Sequence, residues 1–187
     1  MKSVEQALLE WIDLCNRIKI DYAIMGGLAV RVHGIPRPTY DVDLTINADA
    51  KQLQTLFAGA EEIGYTVPDA YKSGGLDRVA DMPIVKLRTW LADGKGIDID
   101  LFVSESTFQE SLMSRRIAYE FEGRKLTVVT PEDLVLLKLL ANRPRDIGDV
   151  QDILFMQGEL DETYLNNWAK ELGIADRLRS ILENHAG

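Results

Sequence analysis

The sequence predicts an α+β fold, a mixed sheet flanked by helices and followed by a helical C-terminal part. Three observations predict it. Apolar residues recur every third or fourth position at the start of the chain and through its whole last third, the mark of amphipathic helices. Runs in the middle alternate at period 2, as half-buried strands do. Glycine, proline and short polar residues separate these runs at positions suited to caps and tight turns.

Composition agrees with a folded chain. The 187 residues fit one domain of ordinary size, or a core with an extension. Apolar residues make up 46% and charged residues 27%, enough for a sizeable core. Lys and Arg total 21 against 30 Asp and Glu, a net charge of -9. A general nucleic-acid coat protein would be basic; a local basic patch remains compatible. The single cysteine, Cys15, cannot close an internal disulfide, which suits a reducing cytosol. There is no basic-then-apolar leader and no apolar run of membrane-spanning length. The expectation is a cytoplasmic protein with no membrane partner.

The elements follow in order. Val4, Ala7, Leu8, Trp11, Ile12, Leu14, Cys15 and Ile18 fall on one helical stripe over 3–18, and Ser3 with Gln6 predicts a capping box. Asp21 to Met25 reads as a strand, cut by Gly26-Gly27. A helix from about Leu28 to His33 follows, stopped by Gly34 with Pro36 beyond. A glycine pair between strand and helix allows backbone N–H groups to approach a phosphate, or simply makes a tight turn. Thr39 to Ile46 is a strand, and Asn47-Ala48-Asp49 caps a helix running to about Glu62, ended by Gly64. The polar, glycine-containing stretch from Tyr65 to Asp81 reads as a loop, with one short extended piece near Tyr65-Thr66-Val67. Met82 to Trp90 and Gly96 to Val103 read as strands joined by a hairpin turn at Asp93-Gly94. Ser104 with Thr107 starts a helix through about Ser114, and 117–129 form a hairpin around Glu122-Gly123. Thr130-Pro131-Glu132-Asp133 is a strong helix start. That helix is apolar except for Lys138, a charge that must snorkel, pair or meet an anion. Arg143-Pro144-Arg145-Asp146 breaks it and starts another, with Asp146 and Asp149 sharing a face. Two more helices, about 161–172 and 174–185, complete the chain around Gly173.

The chemistry is concentrated in two strands. Asp41 and Asp43 are spaced i, i+2, so they project from one face. Neighbouring carboxylates repel each other unless a cation lies between them. Hard oxygen ligands of this kind suit Mg²⁺, held together with substrate phosphates. Asp98 and Asp100 repeat the spacing on a second strand.

The pattern Gly26-Gly27, His33-Gly34 and Arg37-Pro38-Thr39-Tyr40-Asp41-Val42-Asp43-Leu44 resembles the polymerase-beta-type nucleotidyltransferase superfamily. Together with Thr130-Pro131-Glu132-Asp133-Leu134, Lys138 and Arg143-Pro144-Arg145-Asp146-Ile147 with Asp149, it resembles the AbiEii/AbiGii-type (MenT-like) nucleotidyltransferases, toxins of type IV toxin–antitoxin pairs. The resemblance implies a nucleotidyltransferase core over 1–129 and a helical subdomain over 130–187. It implies an enzyme using two Mg²⁺ ions and an NTP. Asp41 and Asp43 would bind metal, and either Asp100 or Asp98 would be the third carboxylate, with Asp100 preferred. Gly26, Gly27 and Arg37 would sit at the phosphates, Lys138 would reach the triphosphate, and Asp146 with Asp149 would form the last acidic motif. Leu28 departs from the serine or threonine that often follows the glycine pair, which removes one hydroxyl contact. The implied acceptor is RNA, at the tRNA 3′ end, with an antitoxin protein as partner; the acidic net charge restricts RNA contact to a patch, for which Arg115, Arg116, Arg143 and Arg145 are the candidates. Transfer to a small molecule or protein hydroxyl, and a non-catalytic nucleotide- or partner-binding fold, are the alternatives.

Overall fold

The structure, a computed structural model, describes residues 3–90 and 96–185. Helix α1 (Val4–Ile18) opens on the predicted capping box: Gln6 N donates to Ser3 Oγ, and Ser3 N donates to the Gln6 side chain. Its stripe buries Trp11, Ile12 and Cys15. Strand β1 (Asp21–Ile24) follows, and then helix α2 (Gly26–His33). The glycine pair therefore forms the first turn of α2 rather than the turn before it. The reason is local: Gly26 adopts φ +62, a left-handed backbone that lets the strand turn directly into the helix. The ring Nε2 of buried His33 lies 2.7 Å from the Val129 carbonyl, tying the end of α2 to the core.

Strand β2 (Asp41–Asn47) leads to helix α3 (Ala50–Glu62), which carries a second capping box on Asp49. The expected loop after it holds structure. A short helix α4 (Asp69–Lys72) and strand β3 (Asp77–Val79) lie there, and Thr66 bridges to Arg88. Tyr71 accounts for the order: its buried ring packs near Phe57, and its hydroxyl donates to Asp77 at 2.6 Å. Strands β4 (Met82–Trp90) and β5 (Gly96–Val103) come next. The predicted Asp93-Gly94 turn lies outside the described residues. Helix α5 (Thr107–Arg115) starts two residues later than predicted, because Ser106 with Gln109 supplies a full capping box. Strands β6 (Ile117–Phe121) and β7 (Arg124–Val128) form the expected hairpin.

Four helices end the chain: α6 (Pro131–Ala141), α7 (Pro144–Gln157), α8 (Glu162–Glu171) and α9 (Ala175–His185). Helix α6 packs on α2, α7 and α8. Tyr164 fastens α8 to α6 by donating to Asp133 at 2.6 Å, with the Arg115 guanidinium 3.7 Å over its ring.

The described strands form one mixed sheet in the order β3-β4-β5-β2-β1-β7-β6. Strands β2 and β5 run parallel, with Asp41 opposite Asp98 and Asp43 opposite Asp100. Strand β4 runs antiparallel to β5 and puts Arg88 opposite Asp98 and Lys86 opposite Asp100. The fold is the predicted α+β arrangement.

Candidate active site

Two rows of charged side chains cross one face of the sheet. Period 2 and the register put Asp43, Asp100 and Lys86 in one row and Asp41, Asp98 and Arg88 in the next. The opposite face of the same strands is apolar: Val42, Leu44, Ile99 and Leu101 are fully buried. That anchoring fixes which way the aspartates point, since a slip of one residue would bury all of them.

Helix α2 sits over the first row. A Cβ on Gly26 would overlap the Asp43 carboxylate, and one on Gly27 would overlap the Thr39 hydroxyl. The pair thus makes room for two side chains. Thr39 in turn donates to Asp41 Oδ1 at 2.6 Å. Met25 caps α2 with no side-chain hydrogen bond, so the first N–H groups of the helix are left to solvent or a ligand.

A cavity of about 200 Å³ opens beside Gly26, between the sheet and α6. Asp43, Asp100, Lys86, Lys138, Arg143 and Asp146 line its charged part. A more open groove of about 460 Å³ adjoins it along Asp41, Lys86, Arg88, Asp98 and Asp100.

The carboxylates differ in their surroundings. Burial, with Asp41 and Asp100 nearby, pushes the Asp43 carboxyl up to about 7. Burial also raises Asp100, while Lys86 pulls it back. Asp98 is held below the usual range by Arg88, whose Nε and Nη2 donate to it at 2.5 and 2.8 Å. Of the two later aspartates, Asp100 lines the cavity beside Asp43, and Asp98 faces the groove in a bidentate pair. Among the described residues no three His, Cys, Asp or Glu side chains are drawn together tightly enough to hold an ion. Asp41 turns to Thr39 and Asp98 to Arg88, as like charges do when other partners are available. The donor set nevertheless fits a hard divalent cation. Asp41, Asp43 and Asp100 offer hard oxygen donors on adjoining register positions, and a cation would offset the burial and like charge that raise Asp43.

The remaining predicted residues form a second layer. Arg37 holds Asp149 through two bonds, Nε at 2.6 Å and Nη2 at 2.7 Å. Lys138 Nζ lies 2.7 Å from Asp149 and 3.1 Å from Asp146. Arg143 Nε donates to Asp146 at 2.7 Å. The result is one chain of alternating charges, Arg37–Asp149–Lys138–Asp146–Arg143, with Lys138, Asp146 and Asp149 buried. Lys138 lines the cavity, yet its ammonium is already shared between two carboxylates. Asp146 and Asp149 stay below the usual carboxylate range despite burial, because Arg143 and Arg37 respectively, and Lys138 in both cases, donate to them. Of the four arginines expected at an RNA acceptor, Arg115 pairs with Glu132 and Arg116 with Asp21, whereas Arg143 and Arg145 flank the site.

Sequence reasoning passed over Lys86. It is the exposed cation in the same row as Asp43 and Asp100, and no carboxylate lies within ion-pair distance of it among the described residues. The signal was its place in the alternating strand Met82–Trp90; its pairing with Asp100 comes from the β4–β5 register.

The fold is similar to several solved structures. An antigenic nucleotidyltransferase-like protein from Paracoccidioides brasiliensis is 19% identical, with TM-score 0.57, over 97% of this chain and 92% of its own. The antibiotic-resistance factor ANT(2'')-Ia gives TM-score 0.56 at 15% identity, over 100% of this chain and 98% of its own. The lincosamide antibiotic adenylyltransferase LnuA gives TM-score 0.51 at 15% identity, over 82% of this chain and 98% of its own. No curated protein matches the sequence. A family model described as "Nucleotidyltransferase of unknown function (DUF6036)" matches residues 2–180. With a nucleotidyltransferase fold and that match over nearly its whole length, the chain belongs to this nucleotidyltransferase family.

Proposed function

We propose that this enzyme moves an NMP from an NTP to an acceptor hydroxyl, using Mg²⁺ held by Asp41, Asp43 and Asp100. The observation that carries the reading is the parallel register of Asp43 with Asp100 beside the open first turn of α2. Bound Mg²⁺ supplies charge neutralisation at the α-phosphate and the departing pyrophosphate, and makes the acceptor hydroxyl more acidic. The chain's own groups do the rest. The N–H groups at the start of α2 receive phosphate oxygens. Lys86, Arg143 and Lys138, which line the cavity and each keep a donor free, steady the triphosphate. The acceptor oxygen bonds to the α-phosphorus, the bond to the β-phosphate oxygen breaks, and pyrophosphate leaves in line. Asp100 takes the acceptor proton. The buried chain from Arg37 to Arg143 holds α6 and α7 against this face and carries one net positive charge toward it.

We assign RNA, at the tRNA 3′ end, as the acceptor, in a cytoplasmic toxin restrained by an antitoxin protein. The sequence resemblance and the Arg143–Arg145 pair beside the site support this reading. A second reading is supported by the groove along Asp41, Asp98 and Asp100, whose acids suit a cationic small molecule. Two structures of similar fold are of proteins named for such acceptors, LnuA bound to lincomycin and ANT(2'') with adenylyl-2''-tobramycin. Incubation with each labelled NTP, Mg²⁺ and total RNA tests both. Label on RNA that is lost in Asp41→Ala/Asp43→Ala supports the first. Label confined to an added aminated small molecule supports the second, and no transfer to either overturns both.

A further inference from the structure

The cavity beside Gly26 has a second end that the transfer chemistry leaves unused. Two residues along the strands from the Asp100–Lys86 pair, about 7 Å at strand rise, the register brings Phe102 opposite Ile84. Both lie on the same face and line the cavity, Ile84 fully buried and Phe102 about 7% exposed. Leu134 and Leu137 of α6 stand across from them, and Val79 and Met82 at the β3–β4 tip close the end. The tip turns sharply, with Ala80 at φ +48 and Asp81 at φ +61. The one hydroxyl in that row, Thr45, already donates to Met25 Sδ. Among the described residues, every polar side chain lining the cavity is charged: Asp43, Lys86, Asp100, Lys138, Arg143 and Asp146.

We infer that this apolar slot is the nucleobase subsite, and that it takes the base as a flat apolar ring without reading its hydrogen-bonding edge. The inference rests on the nucleotidyltransferase reading of the charged end. The slot starts one ribose away from the carboxylates, which is where the base of a nucleotide held at Asp43 must lie. It is walled on two sides by aliphatic and aromatic carbon, which suits the faces of a ring. A site that selects one base must offer donors or acceptors to the edge and leaves them unpaired for the others; that is how discriminations of 10⁴ or more arise. Apolar walls separate ligands by size alone, on the order of tenfold. The enzyme is therefore permissive among NTPs, and its selectivity lies with the acceptor.

Equilibrium binding tests this on the full chain. The wild type is titrated with MgATP, MgGTP, MgCTP and MgUTP, and with Mg-tripolyphosphate, which lacks base and ribose. The four NTP dissociation constants are expected within about tenfold of one another. Met82→Trp, at a half-buried position, and Val79→Trp, at an exposed one, fill the slot. Each is expected to weaken all four NTPs at least about tenfold and to leave tripolyphosphate unchanged. One NTP bound more than about 100-fold tighter than the others overturns the inference. So does full NTP affinity in both variants, or equal loss of NTP and tripolyphosphate in both. Failure of the wild type to bind any NTP or tripolyphosphate would instead overturn the underlying reading.

Discussion

The Asp43 carboxylate occupies the space where a side chain on Gly26 would begin. Gly26 also holds φ +62. Gly26→Ala therefore meets a left-handed backbone penalty and a steric overlap together, and should destabilise the fold by about 2–4 kcal/mol. Because the overlap falls on the proposed metal ligand, transfer should drop at least about 10²-fold even at temperatures where the variant stays folded. Urea unfolding beside a labelled-nucleotide assay checks both. Wild-type transfer by Gly26→Ala would show that Asp43 is not needed where it stands.

Lys138 and Lys86 line the same cavity but should fail differently. Lys138→Met strips one cation from two buried carboxylates and should lower stability by about 3 kcal/mol. Lys86→Met removes an exposed, unpaired cation and should change stability by less than about 0.5 kcal/mol. Denaturant midpoints separate the two. Equal midpoints would mean that the buried charge chain does not hold Lys138.

In kinetics the order reverses for Lys86. Lys86→Met should cut kcat/KM for the NTP by roughly 10²-fold, the scale for losing one donor to transition-state charge. Lys86→Arg should recover most of it. Unchanged kcat/KM in Lys86→Met would remove Lys86 from the phosphate contacts.

The raised Asp43 carboxyl gives stability a definite pH sign. An acid whose folded pKa is raised binds its proton more tightly when folded, so metal-free stability falls as pH climbs from the ordinary aspartate value near 4 to about 7 and is level above. Asp43→Asn should therefore stabilise the metal-free protein at pH 8 and not at pH 4. Mg²⁺ with NTP competes with that proton, so it should raise Tm more at pH 8 than at pH 5, by about 2–4 °C for each kcal/mol. Thermal melts across pH decide it; an equal Mg²⁺ effect at both ends would mean that Asp43 takes no part in ion binding.

The elements of this site were largely legible in the sequence, and its pairings were not. Period 2 alone assigns Asp41 with Asp43, and Asp98 with Asp100, to common faces. Telling Asp98 and Asp100 apart needs β4, because Arg88 pairs with Asp98 through the β4–β5 register. For Lys138 the apolar neighbours leave snorkelling, pairing or an anionic ligand open, and the resemblance implies the triphosphate. Its partners Asp146 and Asp149 come from the next helix, and Asp149 is shared with Arg37, 112 residues away. No local pattern encodes such a contact. Strand β3 and helix α4 were missed for a related reason: a polar segment is ordered by one buried ring, Tyr71.

The Arg37–Asp149 pair also has a meaning for timing. The aspartate strands β2 and β5 are made early, but the cation beside them is secured only when residue 149 is in place. Until α7 is synthesised, Arg37 therefore lacks the carboxylate that holds it through two bonds.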